Sequence, residues 1–153
     1  MNTKRFVIAS VAVFVFLYLY NWLVHGVLLA PKYEEVAHLF RSQADFMAHM
    51  PWMIAGYILM AIAFCRLFIG GYEDRGIGEG VRFGLWAGLL IGSIDFISYA
   101  VQPISLKLGV DEFIAEVVMA VGAGVVAALT YKAESASETT AAPGDQGPYQ
   151  PGG

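Results

Sequence analysis

The sequence predicts an all-α, polytopic membrane protein, a bundle of four transmembrane helices with one interfacial amphipathic helix. Three observations predict it. Hydrophobic residues make up 58% of the chain and charged residues only 14%, against roughly a quarter charged in soluble domains. A water-soluble domain of 153 residues cannot enclose so much apolar surface in one core. The apolar residues are also gathered into four runs, each close to the roughly 20 residues that cross a hydrocarbon core about 30 Å thick. The runs do not alternate in polarity, as strands of a membrane barrel would, so helices satisfy their backbone polar groups.

The first run, Phe6–Leu29, follows Lys4 and Arg5 as the core of a signal peptide would. Such cores are shorter, about 7–15 residues, and end at small residues. This run continues through Tyr18, Tyr20 and Trp22 to Leu28-Leu29-Ala30, and is read as an uncleaved span. After Pro31, Val36, Leu39, Phe40, Gln43 and Met47 recur at helical spacing, with Glu34, Glu35, Arg41 and Asp45 largely elsewhere. That pattern predicts a short amphipathic helix over 33–49 lying on the membrane surface.

Pro51 then opens the second span, Pro51–Ile69, in the first turn of a helix where its missing N–H costs nothing. The glycine-rich stretch Gly70–Gly80 reads as a polar turn, and its Gly76-Ile77-Gly78-Glu79-Gly80 lacks the Lys-Ser/Thr ending of a phosphate loop. The third span is Val81–Ile104 and the fourth Phe113–Tyr131, joined by a short connection containing Pro103. The transmembrane domain is thus expected over 1–132. Residues 133–153 are rich in Ala, Ser, Thr, Gly and Pro, with too little apolar surface to fold, and are expected to form a disordered cytoplasmic tail.

Orientation follows from the positive charges near the span ends. Lys4, Arg5, Arg66, Arg75, Arg82 and Lys132 fall on one side, and Lys32, Arg41 and Lys107 on the other. The bias predicts both termini in the cytoplasm and the segment 33–49 outside. The net charge of −4 and the absence of a dense basic cluster exclude a nucleic-acid partner. The lone Cys65 excludes an intramolecular disulfide and a thiol zinc cluster.

Ionisable groups within a span are costly and face the bundle interior or water. Arg66 and Arg82 sit at span ends and snorkel, which leaves His25, Asp95 and Glu116. Asn21 lies four residues before His25, on the same helical face. In the predicted topology all four fall in the outer half of the membrane. Span three carries Gly80, Gly84, Gly88 and Gly92 at intervals of four, and span four carries Ala120 and Gly124 on the face of Glu116. Small-residue ridges of this kind let helices approach closely in lipid, so both acids are expected to point at neighbouring helices.

Three readings of Asn21, His25, Asp95 and Glu116 stay open: interhelical hydrogen bonds that fix register, a proton or cation path beside His25, and a metal site of imidazole and carboxylates. No His-x-x-x-His pair supports the last. His38 and His49 are read as solvated, and the tryptophans and most tyrosines as interfacial belts. No Cys-x-x-Cys, Gly-x-Ser-x-Gly or His-Glu-x-x-His appears. No catalytic residue, cofactor or metal is therefore assigned, and an enzyme ranks last.

Asn21-Trp22-Leu23-Val24-His25-Gly26-Val27-Leu28-Leu29, closing the first span ahead of an amphipathic segment, resembles the small four-span bacterial inner-membrane proteins of unknown function. A glycine-rich third helix belongs to the same likeness, which extends in layout over residues 5–132. The resemblance implies a multi-pass protein of the inner membrane and no particular reaction. The leading expectation is a structural or accessory membrane protein that associates with itself or with a larger membrane complex through its glycine ridge. The alternative is a small proton- or cation-coupled transporter or channel using Asp95, Glu116 and His25, with a dimer building the path.

Overall fold

In the computed structural model, which describes residues 2–131, the chain is an antiparallel bundle of four long helices with a folded connection at one end. No strand occurs among the described residues. Helix α1 (Thr3–Leu23) starts at Asn2, whose side chain accepts from the Arg5 amide at 3.2 Å, and runs without a break into a π-helical turn, Val24–Leu28. A short α2 (Ala30–Glu34) and a 3₁₀ turn (Ala37–Leu39) lead to α3 (Gln43–Gly70). Helices α4 (Ile77–Val101) and α5 (Leu106–Thr130) complete the bundle. Four helices, Thr3–Leu28, Gln43–Gly70, Ile77–Val101 and Leu106–Thr130, are long and apolar enough to cross a membrane. The shortest, at 25 residues, is about 37 Å long at 1.5 Å per residue.

The segment 33–49 is not one helix. Its first part is α2 and the 3₁₀ turn, the chain is extended at Phe40, and residues 43–49 form the first two turns of α3. Ser42 decides this, because its hydroxyl caps the new helix by accepting from the Asp45 amide at 3.3 Å. Pro51 therefore stands inside α3 rather than in its first turn, and it is exposed. Its ring removes the hydrogen bond that the Met47 carbonyl would accept. Helix α5 also begins seven residues earlier than its apolar run. Gln102, ahead of Pro103, is extended (φ −115°, ψ 145°), as the proline ring demands of its predecessor. Ser105 then caps α5 through the Leu108 amide at 3.2 Å. The expected tail over 133–153 lies outside the described residues.

Helices α4 and α5 make the closest pair. Gly80, Gly84, Gly88 and Gly92 are all buried against α5. A Cβ placed on Gly88 would stand 2.7 Å from the Cα of Val117, and one on Gly84 would stand 2.6 Å from the Cα of Val121. Gly80 and Gly124 meet backbone to backbone. The ridge thus packs inside the chain, and it is not available to a second copy.

Around this seam, Ala9, Val13 and Leu17 of α1 pack with Ala61, Cys65 and Phe68 of α3 and Ala123 and Ala127 of α5. Phe83 brings α4 into contact with α3, its ring 4.9 Å from Phe64 and 5.5 Å from Phe68. The connection from α3 to α4 is tied by Glu79, only 4% exposed, whose carboxylate accepts from the amides of Glu73 (2.7 Å) and Arg75 (3.0 Å). This is the closed end. Every buried residue of α3 lies from Ala61 onward, so the first half of α3 stands away from the bundle and leaves the other end open.

Candidate functional site

The open end holds a cleft of about 1120 Å³, bounded by the end of α1, the segment 30–41, the first half of α3 and one residue of α5, Glu112. Its position follows from the π turn. The Leu29 amide reaches back five residues to the Val24 carbonyl at 2.8 Å. One extra residue is thereby accommodated, a device that recurs at functional sites. His25 sits inside that turn.

Two links hold the segment after α1 onto α5. The Lys32 ammonium meets the Asp111 carboxylate. Next to it, the Tyr33 hydroxyl donates to Glu112 Oε1 at 3.0 Å and lies 2.6 Å from His25 Nδ1. A phenol has one proton to give. Since Tyr33 gives it to Glu112, His25 Nδ1 carries the hydrogen that completes the chain, His25 to Tyr33 to Glu112. Burial, and after it the charge and hydrogen bond of Glu112, push the Tyr33 phenol above the usual tyrosine range, so it stays a donor at neutral pH. The His25 and Tyr33 rings stack with centroids 6.0 Å apart, and Phe40 packs edge-on against Tyr33 at 5.4 Å.

The other ring nitrogen, His25 Nε2, faces Glu116 Oε1 at 3.9 Å. With Nδ1 protonated, a neutral imidazole presents a lone pair to that oxygen. One proton, on Nε2 or on the carboxyl group, turns the opposition into attraction.

The sequence-predicted residues all lie toward the open end, in distinct positions. Asn21 is buried and does not join His25. Its amide donates to the Leu17 carbonyl at 2.9 Å and to the Met119 sulfur at 3.0 Å, fastening α1 to α5. Tyr20 adds a second tie, donating to the Ala115 carbonyl at 2.8 Å. His25 and Glu116 are brought together, and of these two only His25 lines the cleft. Asp95, on α4, is half-buried with one carboxylate oxygen enclosed and without a hydrogen-bond partner. It lies within electrostatic range of Glu112 and Glu116. Among the described residues, no three His, Cys, Asp or Glu side chains converge closely enough to hold a metal ion.

Sequence reasoning missed Tyr33, Glu112 and the Lys32–Asp111 link. Glu112 stands four residues before Glu116 and so on the same helical face, a usable signal that lies just outside the apolar run beginning at Phe113. Tyr33 falls where the sequence predicts a surface helix, and the structure places it in α2 against Glu112. A smaller recess of about 230 Å³ at the closed end is lined by Phe68, Arg82 and Trp86 together with Glu79, whose carboxylate is occupied by the loop amides.

Fold and site together define a multi-pass helical membrane protein with one closed and one open end. Comparison of the chain with family models, with curated proteins and with solved structures finds no match.

Proposed function

We propose that the chain is an accessory protein of the bacterial inner membrane, with both termini cytoplasmic, that holds a small lipid-soluble molecule in its outer-end cleft. The observation that carries this reading is the cleft itself. It is large and chiefly aromatic and aliphatic, with a few polar groups already oriented by their own hydrogen bonds. Ligand sites have this make-up, at volumes of about 300–1,000 Å³. The closed end supports the reading as a rigid base. The charge bias of the loops and the resemblance of residues 21–29 to bacterial inner-membrane proteins support the location and orientation. Self-association loses the feature that motivated it, because the glycine ridge is buried against α5.

Titration of the detergent-solubilised chain with Nile red tests the reading. Saturable binding is expected, and Ala37→Trp, which fills the cleft from an exposed position, is expected to abolish it without lowering the melting temperature. Absence of saturable binding sinks the proposal.

A second reading, proton or cation exchange, is favoured by the opposed His25 Nε2 and Glu116 pair with the unbonded Asp95 oxygen nearby. It requires the closed end to part or a second copy to complete a path. Vesicles loaded with a pH-sensitive dye decide it: flux unchanged in Asp95→Asn and Glu116→Gln would end this reading.

A further inference from the structure

We infer that the occupant of the cleft is a lipophilic organic monocation, such as a quaternary ammonium or phosphonium; this rests on the ligand-binding reading above.

Charge complementarity is the first argument. The arginine of the cleft wall already has a partner, Arg41 Nη1 lying 2.8 Å from Asp45 Oδ2, and His25 is a neutral imidazole whose Nδ1 is engaged by Tyr33. Lys32, next to the wall, is held by Asp111. Glu112 has the opposite situation, because the hydrogen-bond donor it has among the described residues, Tyr33, is neutral. Glu34, also in the wall, has no ion pair among the described residues. The wall therefore presents two carboxyl groups, Glu112 and Glu34, that have no cationic partner among the described residues.

The wall's composition is the second argument, independent of charge. Tyr18, Trp22 and Tyr57 bring three aromatic rings to the cleft, with Tyr18 and Tyr57 edge to face at 6.3 Å. Aromatic faces attract cations, most strongly where water is displaced. Met50 and Met53 line the α3 side, and methionine adapts to irregular apolar bodies. An anion of the same shape would meet the rings and the carboxylates with the wrong sign. A divalent metal would find no set of three ligating groups among the described residues.

Equilibrium dialysis of the full chain in lipid-free non-ionic micelles tests the inference, with protein-free micelles subtracted. Tetraphenylphosphonium and tetraphenylborate share size and shape and differ in charge. The cation is expected to bind at least about tenfold more tightly than the anion, and Glu112→Gln to remove most of that preference. The substitution leaves an oxygen for Tyr33 to donate to, and an unchanged melting temperature shows that the fold survives. Trp22→Ala, at a side chain 63% exposed, is a second variant expected to weaken the cation alone.

Equal binding of both ions, both blocked by Ala37→Trp, overturns the cation assignment and leaves the ligand-binding reading intact. No binding of either ion, together with no binding of Nile red, overturns both. A short-chain phosphatidylethanolamine that displaces the cation with the same dependence on Glu112 would move the site to a lipid headgroup and overturn the assignment to a free cation.

Discussion

The two ends of this bundle are built from the same four helices by opposite means. At the closed end, side chains are removed until backbones touch: Gly80 and Gly124 bring α4 against α5, and Phe64, Phe68 and Phe83 fill what remains. At the open end, side chains are long, aromatic and polar, and they meet in pairs across a gap. Lipid supplies no hydrophobic force to drive helices together, so close packing and interhelical hydrogen bonds must do so. The glycine seam runs along α4 as far as Gly92 against Phe113, and at the open end hydrogen bonds and an ion pair add the segment that follows α1. Packing yields a rigid seam, and hydrogen bonding leaves space for something else.

The contrast is sharpest among glycines. Gly80→Leu, at the closed end, would drive a side chain into the Gly124 backbone, and is expected to cost about 3 kcal/mol, the top of the usual overpacking range. Loss of folded protein from detergent extracts would show it. Gly56→Leu lies in the open half of α3, where an added Cβ meets nothing within 4 Å. It is expected to change stability by less than about 0.5 kcal/mol. Equal effects of the two substitutions on the melting temperature would refute the division into ends.

Next in size, Glu79→Ala should leave two loop amides without their acceptor, at a cost of about 1–3 kcal/mol, seen as faster hydrogen exchange at Glu73 and Arg75. Tyr33→Phe should break the chain from His25 to Glu112 at about 1–2 kcal/mol. Its exchange signature should be confined to residues 24–40, with Ala61–Phe68 unaffected. Spread of the effect into the closed end would show that the two ends are coupled. The smallest effect is expected from Arg41→Ala, which deletes an exposed ion pair with Asp45 and should alter the melting free energy by less than about 0.5 kcal/mol.

The four spans and the glycine seam were legible because hydropathy and a period of four are carried by many residues at once. The site was legible only in part. Asn21, His25, Asp95 and Glu116 stood out as polar residues in apolar runs, and the structure sets all four toward one end of the bundle. Helix ends are another matter. Lys107, Asp111 and Glu112 lower the hydropathy of the first turns of α5, so an apolar window starts late and hides Glu112. Pro103 and Ser105 carried the true boundary. The break between Phe40 and Gln43 was written in Ser42, a single capping residue inside a periodic pattern that otherwise read through it. The π turn has no comparable mark in the sequence. It precedes the tertiary links of Lys32 and Tyr33 to α5, which no local pattern encodes.

That turn also sets the rotational phase of everything that follows it. Each residue of a regular helix advances the chain by about 100°. Deleting Val27 would let the turn relax to ordinary winding, and the next segment would emerge on a different bearing, with Lys32 and Tyr33 swung away from Asp111 and Glu112. The mouth of the molecule is therefore aimed by a single supernumerary residue in a helix that otherwise runs regularly from Thr3.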